Sequence, residues 1–311
     1  MAAKKGSCLK RITIGCGGLI GLMVLVILIV GASFLANRPG EMDLIHKETQ
    51  DRLPQLQGTD KPVRLTLDLE VLARFDLVAG PHGELAISGD YDQNNFELET
   101  RIEEKEDHLA YHVSFKSKQN PWVYNAIITG VRYENRLRLQ IPVGRCYDLV
   151  VAAQTGAYNL DLSGLAVRSI DLTCTKGELS VSMKEPNPVA MEEMTLLAKI
   201  GAATINDLQN YRFTRAAFQG RYSNLSLNSS GDFEADEIAM ALAMRFGEVR
   251  LQLPESADLT YADPATFGQA LQPKPAGGKT KINLSGGVSF GNFSAVLSSE
   301  DNGQGPHSNT N

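Results

Sequence analysis

The stretch TGAYNLDLSG, residues 155–164, places a glycine before a strict alternation of apolar and polar residues. Alternation of this kind is typical of a β-strand that buries one side and shows the other side to solvent. The arrangement returns 21 residues later in KGELSVSM, residues 176–183, again led by a glycine. The recurrence predicts a repeated structural unit rather than a single hairpin.

Glycines lead alternating runs at six places in the chain: Gly156, Gly177, Gly201, Gly220, Gly247 and Gly291. The residue two positions after each glycine is apolar, and so are the residues three and seven positions before it. The unit led by Gly220 keeps this phase only with a one-residue slip, which predicts a β-bulge at that place. HGELAISGDY, led by Gly83, resembles an earlier unit of the same kind.

A shared phase over units of about this size predicts an all-β fold, in which β-solenoid-like units of strand, glycine turn and strand stack over residues 61–298. An ordinary β-sandwich with glycine-containing hairpins is the alternative, and it explains the alternation but not the shared phase. The interval between Gly247 and Gly291 carries four prolines, which predicts an irregular excursion from the stack.

RLRLQIPVGRCYDLVVAAQTGAYNLDLSGLAVRSIDLTCTKGELSVSM, residues 136–183, resembles the toastrack repeats of bacterial putative-adhesin domains of unknown function. Ile141 and Pro142 match the proline-containing turn of that family, and the six glycines match its repeated units. The resemblance covers about residues 63–297 and implies a single-stranded β-helix-like stack with a role at the cell surface or envelope. Similar domains cap some cell-envelope-stress sensors and often follow a membrane helix, and no catalytic residues come with the resemblance.

The N-terminal segment carries no charged residue from Ile12 to Ala36, and Leu19 to Val30 is almost purely aliphatic. Such a run is long enough to cross the ~30 Å hydrocarbon core as one transmembrane helix, residues 12–36. Four basic residues lie within residues 1–11, so the positive-inside rule predicts a cytoplasmic tail and an extracytoplasmic domain. A cleaved signal peptide is the alternative. Polar composition predicts a linker over residues 37–60 and a disordered tail over residues 299–311.

The charge distribution limits the class of partner. The chain has a net charge of −6, and beyond the first 36 residues 26 basic residues stand against 36 acidic ones, a balance of −10. An acidic body does not suit the phosphate backbone, so nucleic acid is not predicted as a partner. The membrane is predicted as a partner through the single span. An envelope component or partner protein stays unidentified, and formation of a homo-oligomer stays open.

No catalytic, cofactor-binding or metal-binding residues are predicted. His108 and His112 share one face of an alternating run, but a zinc site needs further ligands in fixed geometry. GDYDQNN, residues 89–95, begins like a calcium loop and lacks the glycine and glutamate that such a loop requires. The enzymatic alternative is a polysaccharide-processing β-helix enzyme, which demands a cleft with two carboxylates about 5–10 Å apart.

Two cysteines, Cys146 and Cys174, fall on the predicted outer side of the membrane, where a disulfide could form. Cys174 lies three positions before Gly177, at an inward station, whereas Cys146 lies ten positions before Gly156. Stacked units set equal stations side by side, so the phase argues against a bridge. It favours Cys174 as a small buried apolar residue and leaves the bridge open.

These features predict a membrane-anchored extracytoplasmic protein that binds or scaffolds and is not an enzyme, either an adhesin or an accessory of envelope-stress sensing. A secreted adhesin, released by signal cleavage, is a further alternative. Partners would meet the outward polar positions of a rigid stack. The candidate positions, chosen by phase alone, are Asn159, Asp161, Ser163, Ser180 and Ser182.

Overall fold

In the computed structural model of the 311-residue chain, the structure describes residues 21–29, 32, 43–52, 61–81, 84–118, 135–267 and 278–298. Residues 21–29 are helical, and the remainder of the predicted span, apart from residue 32, lies outside the described residues. Within the described part of the chain, no helix is both long and apolar enough to cross a membrane. The basic tail and residues 299–311 also lie outside it.

Fourteen strands form one sheet in the described chain, in the order β1-β4-β7-β3-β8-β9-β10-β11-β12-β14-β13, with β6 joining β2 to β5 at one side. Short 3-10 helices lie at Leu208–Tyr211 and Pro264–Phe267. The strands are β1 Leu44–Arg52, β2 Val63–Leu69, β3 Arg74–Gly80, β4 Glu84–Asp92, β5 Phe96–Glu104, β6 Leu109–Ser117, β7 Arg136–Pro142, β8 Cys146–Asp161, β9 Ala166–Ser182, β10 Glu193–Ile205, β11 Arg215–Asn228, β12 Glu237–Pro254, β13 Ala257–Tyr261 and β14 Thr280–Ser298.

Six long strands, β8, β9, β10, β11, β12 and β14, run parallel to one another and pair along their length, with one register shift between β8 and β9 at Tyr147 and Asp148. The first part of β8 pairs with β2 and its second part pairs with β3, so each long strand belongs to two halves of the sheet. In β8 the buried positions change parity between Ala153 and Tyr158, where the strand passes from one half to the other. Buried residues of both halves form a single apolar core. The predicted all-β, repeat-like fold is confirmed.

The passage between the halves coincides with a column of glycines. Gly156, Gly177 and Gly201 are direct register partners, with φ values of 149°, 129° and 119°. Residues that carry a side chain rarely adopt the φ values of Gly177 and Gly201. A Cβ on Gly177 would also lie 2.0 Å from the carbonyl oxygen of Gly156. Glycine is therefore required at the bend by conformation and by the close approach of the next backbone. Gly247 and Gly291 continue the column.

The predicted slip at Gly220 is wrong. Ser223, not Gly220, pairs with Gly201 on one side and Gly247 on the other. Gly220 pairs instead with Ala198 and Met244, three positions before the bend. The buried Ser223 keeps a negative φ, and its hydroxyl donates a hydrogen bond to the carbonyl oxygen of Ala198 at 3.2 Å. A serine therefore substitutes for glycine in β11 without shifting the register.

The early part of the chain builds the stack in a way that the repeat did not predict. β2 and β3 together follow the course of one bent strand against β8, with Leu72 at the bend in a left-handed conformation (φ 62°). β6 pairs with β2 and β7 pairs with β3, as the two parts of a further unit would. HGELAISGDY is not a unit of this kind, because β4 runs antiparallel to both β1 and β7.

The structure also bears on the predicted linker, the interval after Gly247 and the two cysteines. The predicted linker contributes β1, since Leu44–Arg52 pairs antiparallel with the whole of β4. The interval after Gly247 holds β13 and the second 3-10 helix, and β14 lies between β12 and β13. Cys146 and Cys174 are free thiols, as the phase predicted: Cys146 pairs with Ala166 and the buried Cys174 pairs with Ala153.

Candidate binding surface

Two of the candidate positions, one on β8 and one on β9, adjoin each other in the sheet. Asn159 and Ser180 are register neighbours, both half-buried, and with Thr204 of β10 they line a shallow cavity of about 300 Å³. The Asn159 side-chain amide donates a hydrogen bond to Asp76 at 3.3 Å, which holds it against β3. As contact positions for a partner, these residues stay predictions.

Asp161 and Ser163 are occupied within the chain. The Ser163 hydroxyl donates to the Asp161 carboxylate at 2.6 Å, and the same hydroxyl accepts a hydrogen bond from the backbone N–H of Lys184 at 3.0 Å. Ser182 lies beside Asp161 in the register and is half-buried. These contacts fix the turn after β8, so a partner would have to compete with them.

An exposed aromatic ladder lies at the other end of the stack, and the sequence interpretation did not identify it. Tyr222, Phe246 and Phe290 are register partners on β11, β12 and β14. Their ring centroids are 5.0 Å apart at both steps, with interplanar angles of 3° and 12°, so the rings stack at the strand spacing. Tyr222 is 57% exposed and Phe290 is 64% exposed. Ile200, the partner of Tyr222 on β10, extends the apolar surface.

Tyr222 lies two positions after Gly220, where the repeat predicts a core residue, and that prediction is wrong. Because Ser223 occupies the bend of β11, Tyr222 falls immediately before the bend, on the exposed side. The same station holds Phe246 before Gly247 and Phe290 before Gly291. The repeated dipeptide Phe-Gly was the sequence signal that could have found the ladder.

Three basic residues, Lys199, Arg221 and Arg245, immediately precede Ile200, Tyr222 and Phe246 and form a basic column beside the ladder. Lys199 and Arg221 form no hydrogen bond or ion pair with any residue that the structure describes. The Arg245 guanidinium lies 5.7 Å from the centroid of the Phe246 ring, within the range of a cation–π contact. The column and the ladder therefore adjoin, and its charges are available to an outside group.

An open groove of about 700 Å³ is lined by Arg221 and Arg245 of the basic column. Small residues, among them Ala243 and Gly287, line it and leave its centre open. Thr266 of the second 3-10 helix lines it as well and donates a hydrogen bond to the carbonyl oxygen of Gly286 at 2.5 Å. A Cβ on Gly287 would lie 2.6 Å from the Cβ of Thr266, so glycine allows this helix to sit close to β14.

Among the described residues, neither a metal site nor the carboxylate pair of a glycoside hydrolase is formed at the places considered in the sequence analysis or at the two cavities. His108 contacts Asp107 at 2.7 Å, and no group of three His, Cys, Asp or Glu residues that could hold a metal occurs in the described chain. The lining of the groove contains no Asp or Glu, and Glu178 is the single carboxylate along the described lining of the shallow cavity. The paired carboxylates of a glycoside hydrolase are thus not brought together at either place.

Burial perturbs two groups that lie away from this surface. The pKa of Glu70 is raised because its carboxyl group is buried, although the backbone N–H of Ser117 donates to it at 3.3 Å. Burial also raises the pKa of the Cys174 thiol, to about 11. Neither group faces the groove, so both are features of the core.

No protein-family model and no curated protein matches the chain. Among solved structures, the chain resembles a "putative cell adhesion protein" from Clostridium sporogenes, with 11% identity, 82% of this chain and 100% of that chain covered, and a TM-score of 0.47. It also resembles a "putative adhesin" from Bacteroides fragilis (10% identity, 83% and 99% covered, TM-score 0.33) and one from Parabacteroides merdae (12%, 83% and 98%, TM-score 0.29). These names describe those proteins, and likeness at this level says nothing about the ligand of this chain.

Proposed function

We propose that the chain is a non-enzymatic binding protein of the adhesin type, held at the membrane by residues 12–36 with its β domain outside the cell. The observation that carries the proposal is the exposed aromatic ladder beside a basic column in which Lys199 and Arg221 pair with no residue that the structure describes. Stacked rings and aliphatic side chains exposed in one contiguous surface are typical of interaction sites. Lys and Arg next to them supply the polar contacts that fix the orientation of a ligand.

The strands that carry the aromatic ladder provide a rigid support, which suits binding better than catalysis. β10, β11, β12 and β14 hold Ile200 and the ladder residues in direct parallel register. Each contact residue therefore stands at a fixed distance from the next, and little conformational entropy is lost when a partner binds. We propose that this stack is a β-solenoid of the toastrack type, as the glycine-led repeats suggest.

The anchor is proposed from the sequence. The uncharged segment from Ile12 to Ala36 and the basic residues before it support a single span with the N-terminus in the cytoplasm. An envelope-stress accessory would share this arrangement, and it would need a second protein to carry a signal across the membrane. A secreted adhesin would instead lose the segment by cleavage.

Crosslinking in intact cells tests binding by the ladder. The full-length chain and its Phe290→Ser variant are expressed at equal levels, crosslinked, and purified for identification of bound envelope components. We expect the wild-type chain to retain a component that Phe290→Ser loses. Leu44→Ser is the matched control, since Leu44 is an exposed apolar residue on β1 at the far end of the sheet. Equal recovery by all three chains would contradict the proposal.

A further inference from the structure

The geometry of β14 points to a second copy of this chain as a partner: we propose that residues 288–298 pair edge to edge with the same strand of another protomer. This inference goes beyond the binding surface and does not depend on it. β14 pairs with β12 along residues 281–298, whereas β13 pairs with it only along residues 280–284. Beyond residue 284, no described strand pairs with the other edge of β14.

The composition of this edge differs from that of the other edges of the sheet. VSFGNFSAVLS, residues 288–298, has no charged residue and no proline. β1 and β5, the edge strands at the opposite end of the stack, carry LIHKETQDR and FELETRIEE, which are rich in charge. Charged side chains protect edge strands from pairing with other chains, and a long uncharged edge invites such pairing. This difference in charge favours residues 288–298 of β14, rather than β1 or β5, as the edge that pairs with another protomer.

The apolar positions of β14 lie at the open end of the core. Phe293 is buried, while Val288, Ala295 and Leu297 are only partly buried against the core. On the outward side Val296 is 45% exposed. A further strand alongside β14 would cover the partly buried positions and would complete the unused backbone hydrogen bonds.

The undescribed neighbouring segments of the same chain are poorly suited to this role. Residues 299–311, SEDNGQGPHSNTN, contain no apolar residue to extend the core. Residues 268–277 contain Pro273 and Pro275, and proline cannot donate to a strand ladder. A copy of β14 supplies an uncharged strand of the same length, and two such strands face each other without like charges. A closed two-fold dimer results, because each edge is used once.

The mass of the full-length protein in detergent tests the pairing. We expect the wild-type protein to be a dimer and Val296→Lys to dissociate about tenfold more readily. When residues 288–298 pair antiparallel across the two-fold axis, the lysine would lie opposite residue 290 of the partner strand, where a charge opposes edge-to-edge pairing. Leu44→Lys is the matched control: Leu44 is 46% exposed and lies on the already charged β1. The control should remain a dimer.

Alternate backbone amides of residues 288–298 point toward β12 and pair with it, so hydrogen exchange at the other amides, which point away from β12, separates the remaining outcomes. In a paired dimer these amides are protected in the wild type and lose protection in Val296→Lys. A monomer with protected amides would mean that another segment of the same chain covers the edge, which overturns the inference. A monomer with unprotected amides, or a dimer that Val296→Lys leaves intact, would overturn it too. Phe290 of the aromatic ladder lies within residues 288–298, whereas Val296→Lys leaves the ladder residues unchanged. Measuring the mass of Phe290→Ser as well therefore distinguishes failure here from failure of the binding proposal.

Discussion

Gly201 lies so close to Gly177 that a Cβ atom on Gly201 would stand 1.9 Å from the carbonyl oxygen of Gly177. The two residues are register partners on β10 and β9, at the point where each strand turns from one half of the sheet to the other. Gly201 also has a φ of 119°, which side chains rarely adopt. The bend and the spacing of the strands therefore depend together on the missing side chain.

Gly201→Ala is expected to lower the free energy of unfolding by about 3 kcal/mol, since both the conformation and the contact with Gly177 become strained. Denaturant unfolding of the purified protein measures the change. Gly231→Ala is the control, because Gly231 has no positive φ and its Cβ would lie 3.6 Å from Gln209, at ordinary contact distance. A loss for the control as large as that for Gly201→Ala would contradict the explanation.

Tyr158→Phe is expected to cost about 1–2 kcal/mol of stability. The Tyr158 hydroxyl donates to the carbonyl oxygen of Leu69 at 2.9 Å and accepts from the backbone N–H of Val71 at 3.5 Å, and both groups are buried. The buried hydroxyl of Tyr211 has no hydrogen-bond partner among the described residues. Tyr211→Phe should therefore be neutral or stabilising. Thermal unfolding of the two variants compares them directly, and an equal loss in both would be evidence against this account.

Glu70 is expected to make stability fall as the pH rises. Burial raises the pKa of its carboxyl group above 4.5, so the folded state binds the proton more tightly than the unfolded state. Glu70 then costs stability once the pH exceeds 4.5, and the full cost is present above its folded pKa. Glu70→Gln should reduce the loss of stability between pH 4.5 and pH 7. Unfolding measured at both pH values would refute this if the variant and the wild type lost the same amount.

The two described thiols are expected to differ in reactivity. Burial raises the pKa of both, but Cys174 is fully buried with a pKa of about 11, while Cys146 is only half-buried. An alkylating reagent attacks the exposed thiolate, so Cys146 should be modified before Cys174 in the folded protein. Peptide mass spectrometry over a time course gives both rates. Faster labelling of Cys174 would show that the core opens on that timescale.

The glycine repeat could be predicted because its physical cause is local. Gly156, Gly177, Gly201, Gly247 and Gly291 fall in one column of the sheet, as their shared phase indicated. At each bend a side chain would meet the carbonyl group of the neighbouring strand, or adopt an unfavourable backbone conformation, so the sequence records the constraint. Alternation then assigned most core positions of β8, β9 and β12.

The errors arose where another residue can meet the same constraint. Ser223 takes the place of glycine in β11 with a negative φ and a hydrogen bond to Ala198, so the glycine pattern pointed to Gly220 as the start of this unit. Counting from Gly220 instead of Ser223 assigned the exposed Tyr222 to the core. Leu72 occupies a further bend with φ 62°, which concealed the unit formed by β2 and β3.

The sequence by itself determined the β class, the glycine-led unit and the uncharged N-terminal segment, since each is a pattern of neighbouring residues. Only the tertiary structure decided which residues stand side by side across strands. Tyr222, Phe246 and Phe290 are separated by 24 and 44 residues and stack at 5.0 Å because parallel strands in register bring equal stations together. Surface sites of this fold are built from such columns, and their composition depends on register.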